Sequence, residues 1–77
     1  MIEIGQVEQL LAVSKYGTLS KAAEALHISQ PALSRAMQKL EEELQVPIFD
    51  REKNRITLNA TGKVAVDYAQ KVLFSAN

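Results

Sequence analysis

Gln30, Pro31, Ser34, Arg35 and Gln38 fall at spacings that let their side chains act together. An arginine can donate a bidentate pair to the major-groove edge of guanine and a glutamine can pair bidentately with adenine. A serine hydroxyl can bond to either base. At 3.6 residues per turn, these positions and Glu42 share one side of a helix. Leu33, Ala36, Met37, Leu40 and Leu44 share the other. Ser29 suits the N-cap, and Pro31 fits the first turn, where a missing N–H costs little. The hydrogen-bonding groups therefore cluster at the start of a helix spanning about 29–44. An amphipathic helix of this composition also fits a small bundle with a solvated face, so its neighbours must decide between the two uses.

The preceding segment supplies such a neighbour. Thr18 can cap a short helix in which Ala22, Ala23 and Leu26 repeat on one face. The Ala22-Ala23 pair is small enough to let two helices cross closely. His27-Ile28-Ser29 then forms a tight connection, with Ile28 as the plug between the helices and no glycine in the turn. Two short helices joined this way form a helix-turn-helix, whose second helix enters the major groove. His27 is the only histidine and the chain has no cysteine, so it reads as a turn residue or phosphate neighbour, not a metal ligand.

Around this pair, the first helix is expected over Ile4 to Tyr16, with Ile4, Val7, Leu10, Leu11 and Ser14 recurring and Gly17 as its C-terminal cap. Val46-Pro47-Ile48-Phe49 breaks the long helix, and Asp50 to Leu58 reads as a hairpin with Ile56 and Leu58 inward and Arg55 and Thr57 outward. A two-stranded flap beside a helix-turn-helix is a wing. Its Arg51, Lys53 and Arg55 would reach phosphates or the minor groove, against the plain alternative of a solvated charged turn. The last helix, over about 60–77, is capped by Asn59 or Thr61. Lys63, Asp67, Gln70 and Lys71 make one narrow polar stripe, and Phe74 lies on that side. Its apolar set (Val64, Ala65, Tyr68, Ala69, Val72, Leu73, Ala76) is wider than one core requires. That width points to a dimerising face comprising Val64, Tyr68, Val72, Leu73 and Phe74. Terminal packing with a frayed end is the alternative. The expected fold is mainly α: a winged helix-turn-helix over 1–58 with a three-helix core and a two-stranded β wing, then a linker and dimerisation helix over 59–77.

Composition bounds these readings. At 77 residues and 47% hydrophobic content, the chain can fold as one small domain and is too apolar for disorder. With no cysteine it has no disulfide framework, which suits a reducing cytoplasm. The start Met-Ile-Glu-Ile has no signal-peptide pattern, and no stretch is long and apolar enough to cross a membrane. Nine basic and nine acidic residues cancel, which is unusual for a nucleic-acid binder. The three glutamates Glu41, Glu42 and Glu43 sit at the far end of the long helix, and bases prevail near its start and in the 51–55 segment. An acidic end pointing away from the duplex would orient insertion. Low net charge also means few counterions released, so tight binding would need two copies. A protein-interaction module with the same fold is the competing reading. With one histidine, no thiol and no Gly-rich phosphate loop, nothing meets the geometric needs of an enzyme.

Ala22-Ala23, Leu26, Ser29-Gln30-Pro31-Ala32-Leu33-Ser34, Leu40-Glu41, Leu44, Val46-Pro47-Ile48-Phe49, Arg51, Leu58 and Gly62 stand in an order and spacing that resembles the DNA-binding domain of LysR-type transcriptional regulators. The resemblance covers roughly residues 4–75 and is most specific in Ser-Gln-Pro-Ala-Leu-Ser. It implies a bacterial, cytoplasmic, nucleoid-associated regulator that binds double-stranded DNA as a homodimer or higher oligomer through the linker helix. It implies no cofactor here, with a small-molecule effector expected only in a C-terminal domain of the periplasmic-binding-protein kind, absent from this chain. A molybdate-responsive regulator has a related winged domain and is a near alternative. Carried over by position, the resemblance implies base contacts from Gln30, Pro31, Ser34 and Arg35, with Gln38 on the same face. It implies backbone contacts from Thr18, Ser20, Lys21 and Ser29 and from the wing at Arg51 and Arg55. Two positions depart from the pattern. Gln45 replaces the usual glycine of the Leu-Gly-Val-Pro turn, so a left-handed backbone there would be strained. Asn59-Ala60-Thr61 replaces Thr-x-Ala before Gly62, a fair exchange of caps.

Overall fold

A computed structural model describes residues 2–52 and 55–74. Four helices and one hairpin follow in the order α1 (Ile4–Tyr16), α2 (Leu19–Leu26), α3 (Gln30–Leu44), β1 (Phe49–Glu52), β2 (Arg55–Leu58) and α4 (Ala60–Phe74). This is the winged helix-turn-helix expected from the sequence.

Local chemistry sets the helix ends. The Thr18 hydroxyl accepts the Lys21 N–H at 3.1 Å to start α2, and the Ser29 hydroxyl accepts the Ala32 N–H at 3.2 Å to start α3. Gly17, at φ 92°, closes α1 with its N–H on the Val13 carbonyl at 2.9 Å. α2 ends on His27 in the left-handed region (φ 60°, ψ 38°), and the Ile28 N–H returns to the Ala23 carbonyl at 3.1 Å. α3 ends the same way on Gln45 (φ 61°, ψ 26°), as the missing glycine led us to expect. Asn59, not Thr61, caps α4. Its Oδ1 accepts the Gly62 N–H at 2.8 Å, while its Nδ2 donates to the Pro47 carbonyl at 3.2 Å.

Leu19, Ala22 and Ala23 of α2 meet Leu33, Met37 and Leu40 of α3 in the core, closed by Leu10 and Val13 from α1, Ile48 and Phe49 at the wing base, and Val66 from α4. Each fully buried leucine stabilises the fold by about 1.5–3 kcal/mol relative to an exposed one. The wing is antiparallel, with Phe49 opposite Leu58 and Glu52 opposite Arg55, and Ile56 and Leu58 pack inward as expected.

Two helical faces differ from the sequence expectation. α1 buries Gln6, Leu10 and Val13, whereas Ile4 is 64% exposed and Ser14 also faces solvent. Gln6 lies inward, and its Oε1 accepts the Glu3 N–H at 2.9 Å, stitching the first turn from within. In α4 the buried residues are Gly62 and Val66, the latter absent from the expected apolar set, because Gly62 seats that face against Ile48 and Leu58. Leu26 lies at the exposed margin of its helix and contributes little to the core.

Candidate nucleic-acid interface

The inner face of α3 is sealed by Leu33, Met37 and Leu40, which fixes the outer face toward solvent. Gln30, Pro31, Arg35 and Gln38 are exposed there, and Ser34 is half-buried at the edge of the stripe. Arg35 has no ion-pair partner among the described residues. The five base-reading candidates therefore lie together on the first two and a half turns of one rigid helix. Such a helix, with donors and acceptors at its leading end, fits the roughly 12 Å width of the major groove.

The candidates for backbone contact divide. Ser20, Lys21 and Ser29 are exposed near the starts of α2 and α3. Ser29 holds its hydroxyl on the Ala32 N–H at 3.2 Å, an N-cap bond that leaves the hydroxyl's own proton available to a phosphate. Thr18 is less accessible: it is buried, and its hydroxyl accepts the Lys21 N–H, so it starts α2 as the sequence predicts. In the wing, Arg55 is exposed and unpaired among the described residues. Lys53 lies outside the described residues.

Arg51 departs further. Its Nη2 donates to Glu41 Oε1 at 2.6 Å, and its guanidinium carbon sits 5.9 Å from the centroid of the Phe49 ring. Glu41 is thus not part of an acidic end directed away from any ligand; it is turned toward the wing. Sequence reasoning missed this pair because its members are ten residues apart on different elements. The one available signal was the departure of the chain at Pro47, which leaves the following N–H groups in need of an acceptor.

On α4, Val64, Tyr68 and Val72 are 69%, 69% and 58% exposed and recur every fourth residue, forming a single apolar ridge. Leu73 is half-buried, in a shallow groove that it shares with Ile4, Val7, Leu44 and Tyr68. The side chain of Phe74 lies outside the described residues. Among the described residues, no group of three or more His, Cys, Asp or Glu could hold a metal, and no helix is long and apolar enough to cross a membrane.

The class that this fold and exposed helix define is matched by known proteins. The family described as bacterial regulatory helix-turn-helix proteins, lysR family, matches residues 4–63, and the chain belongs to it. It is similar to a probable RuBisCO transcriptional regulator of Emiliania huxleyi, 40% identical over 70 residues that cover 91% of this chain and 22% of that protein. The chain therefore spans about a fifth of that relative's length. Among solved structures, a complex of the CbnR DNA-binding domain with DNA superposes with a TM-score of 0.86 at 36% identity, covering 97% of this chain and 86% of that one. The BenM DNA-binding domain bound to catB site 1 DNA gives 0.84 at 33% identity, covering 97% and 81%.

Proposed function

We propose that this chain is the sequence-specific DNA-binding part of a bacterial transcriptional regulator that works as a homodimer in the cytoplasm. The observation that carries this reading is the bare leading end of α3: Gln30, Arg35 and Gln38 offer amide and guanidinium tips to solvent from a helix whose other face buries Leu33, Met37 and Leu40. Lowered into a major groove, Arg35 donates to O6 and N7 of guanine, Gln30 and Gln38 pair with adenine, and Ser34 bonds to whichever acceptor or donor it meets. Pro31 adds apolar contact suited to a thymine methyl. Ser20, Lys21, Ser29 and Arg55 fix the register on phosphates without reading sequence. The likeness to DNA-bound CbnR and BenM domains supports this placement.

A formal charge of zero limits the phosphate-driven part of the affinity, so a single copy binds weakly. Two copies on one duplex raise affinity by making the second contact intramolecular. The ridge of Val64, Tyr68 and Val72 is the surface on which two copies would join, with Leu73 at its margin and α4 as the linker; residues 75–77 of the expected 59–77 span lie outside the described residues. A two-fold dimer matches a two-fold operator, with half-sites about one helical turn or a multiple apart.

Selection of bound duplexes from a randomised pool tests the reading. The expected result is an enriched consensus with two-fold symmetry. A pool that stays random after repeated rounds would assign the outer face of α3 to a protein partner instead.

A further inference from the structure

Glu41 lies in the last turn of α3, its side chain 15% exposed, and makes three hydrogen bonds. Oε2 accepts the Ile48 N–H at 2.8 Å and the Phe49 N–H at 3.3 Å, and Oε1 accepts Arg51 Nη2 at 2.6 Å. The need for it is local. The chain leaves α3 at Gln45, Pro47 has no N–H, and Ile48 is fully buried before the strand ladder begins. Left without an acceptor, its buried N–H would carry the full desolvation penalty. One carboxylate meets that need and also neutralises the first cation of the wing.

We propose that Glu41 is the positioning residue of the wing: it locks β1 to the reading helix and withdraws Arg51 from contact with DNA. This inference rests on the DNA-binding reading. A phosphate that met the remaining Arg51 N–H groups would share a cation whose charge a carboxylate already neutralises through a short charge-assisted bond. The locked pair thus contributes geometry, and Arg55 is the described wing cation that neutralises a phosphate. Because Glu41 stands on α3 itself, the wing's angle is set by the same helix that reads bases.

Three measurements on this chain test the proposal. First, affinity for the selected duplex is followed against salt. Arg55→Gln should flatten the log–log slope by about 0.9 per subunit, so that across a fourfold rise in salt its affinity falls roughly 3–4-fold less than the parent's, while Arg51→Gln leaves the slope unchanged. A slope flattened equally by Arg51→Gln overturns the proposal. Second, hydroxyl-radical footprinting separates the wing from the helix. Glu41→Ala should lose the flanking protection and keep the protection under α3; loss of both, or of neither, overturns the positioning role.

Third, thermal unfolding without DNA reads the pair directly, using Glu41→Gln, which keeps an oxygen for the Ile48 N–H. Arg51→Gln should lower the midpoint in the parent chain and leave it unmoved in the Glu41→Gln chain. Equal drops in both backgrounds overturn the pairing. A parent chain that binds no duplex refutes the functional reading alone, and the unfolding cycle still decides whether the two side chains are joined.

Discussion

Replacing Gly62 with alanine should cost this fold a substantial part of its stability, although helix propensity alone says the opposite. Gly62 is the third residue of α4 and backs onto the segment entering the wing. An added Cβ would overlap the Ile48 carbonyl oxygen and lie 2.8 Å from Leu58 Cδ2 and 3.2 Å from the Ile48 carbonyl carbon. The leucine tip can rotate away. The carbonyl cannot, because it accepts the Asn59 N–H at 3.0 Å while the Ile48 N–H is held by Glu41 at 2.8 Å. Overpacking against backbone costs about 1–3 kcal/mol. Losing the Asn59–Ile48 bond adds about 1 kcal/mol, and a loosened Asn59 cap adds about another 1 kcal/mol. Alanine returns about 0.5–1 kcal/mol in helix propensity. The net is a loss of about 2–4 kcal/mol, from a total of roughly 4–11 kcal/mol expected for a chain of this size. At about 4–8 °C per kcal/mol, thermal unfolding followed by circular dichroism should show a drop on the order of 10–25 °C. Gly5→Ala is the internal control, since nothing lies within 4 Å of a Cβ there, and it should raise the midpoint by a few degrees. A Gly62→Ala chain as stable as its parent would refute the close approach of α4 to the wing base.

Arg35→Ala should weaken binding to the selected duplex by roughly 1–3 kcal/mol per half-site relative to a scrambled one; equal losses on both duplexes would remove Arg35 from base reading. Gln45→Gly should raise stability by about 0.5–1 kcal/mol in urea unfolding, because relief of left-handed strain of about 1–2 kcal/mol exceeds the added unfolded-state entropy. A lower midpoint would mean that the Gln45 side chain contributes more than its backbone costs. Val72→Asp should turn dimers into monomers in sedimentation, and a variant that stays dimeric would place the interface away from the α4 ridge.

Much of this protein is written locally in its sequence. Thr18, Ser29 and Asn59 start helices, Gly17 ends one, and Pro47 forces the exit from α3, because each acts on backbone groups within a few residues of itself. The polar stripe of Gln30, Arg35 and Gln38 was equally legible, since leucines and a methionine at helical spacing leave only one face free. α1 and α4 behaved differently. Both are apolar over a wide arc, so periodicity does not choose which part is buried; contacts with α3 and the wing turned Gln6 and Val66 inward and left Ile4 and Val64 outside. The same tertiary dependence took Thr18 into the interior and gave Arg51 to Glu41. Charge and residue type say what a side chain is able to bind, but a partner ten residues distant is chosen only when the chain has folded and desolvation makes that partner better than water.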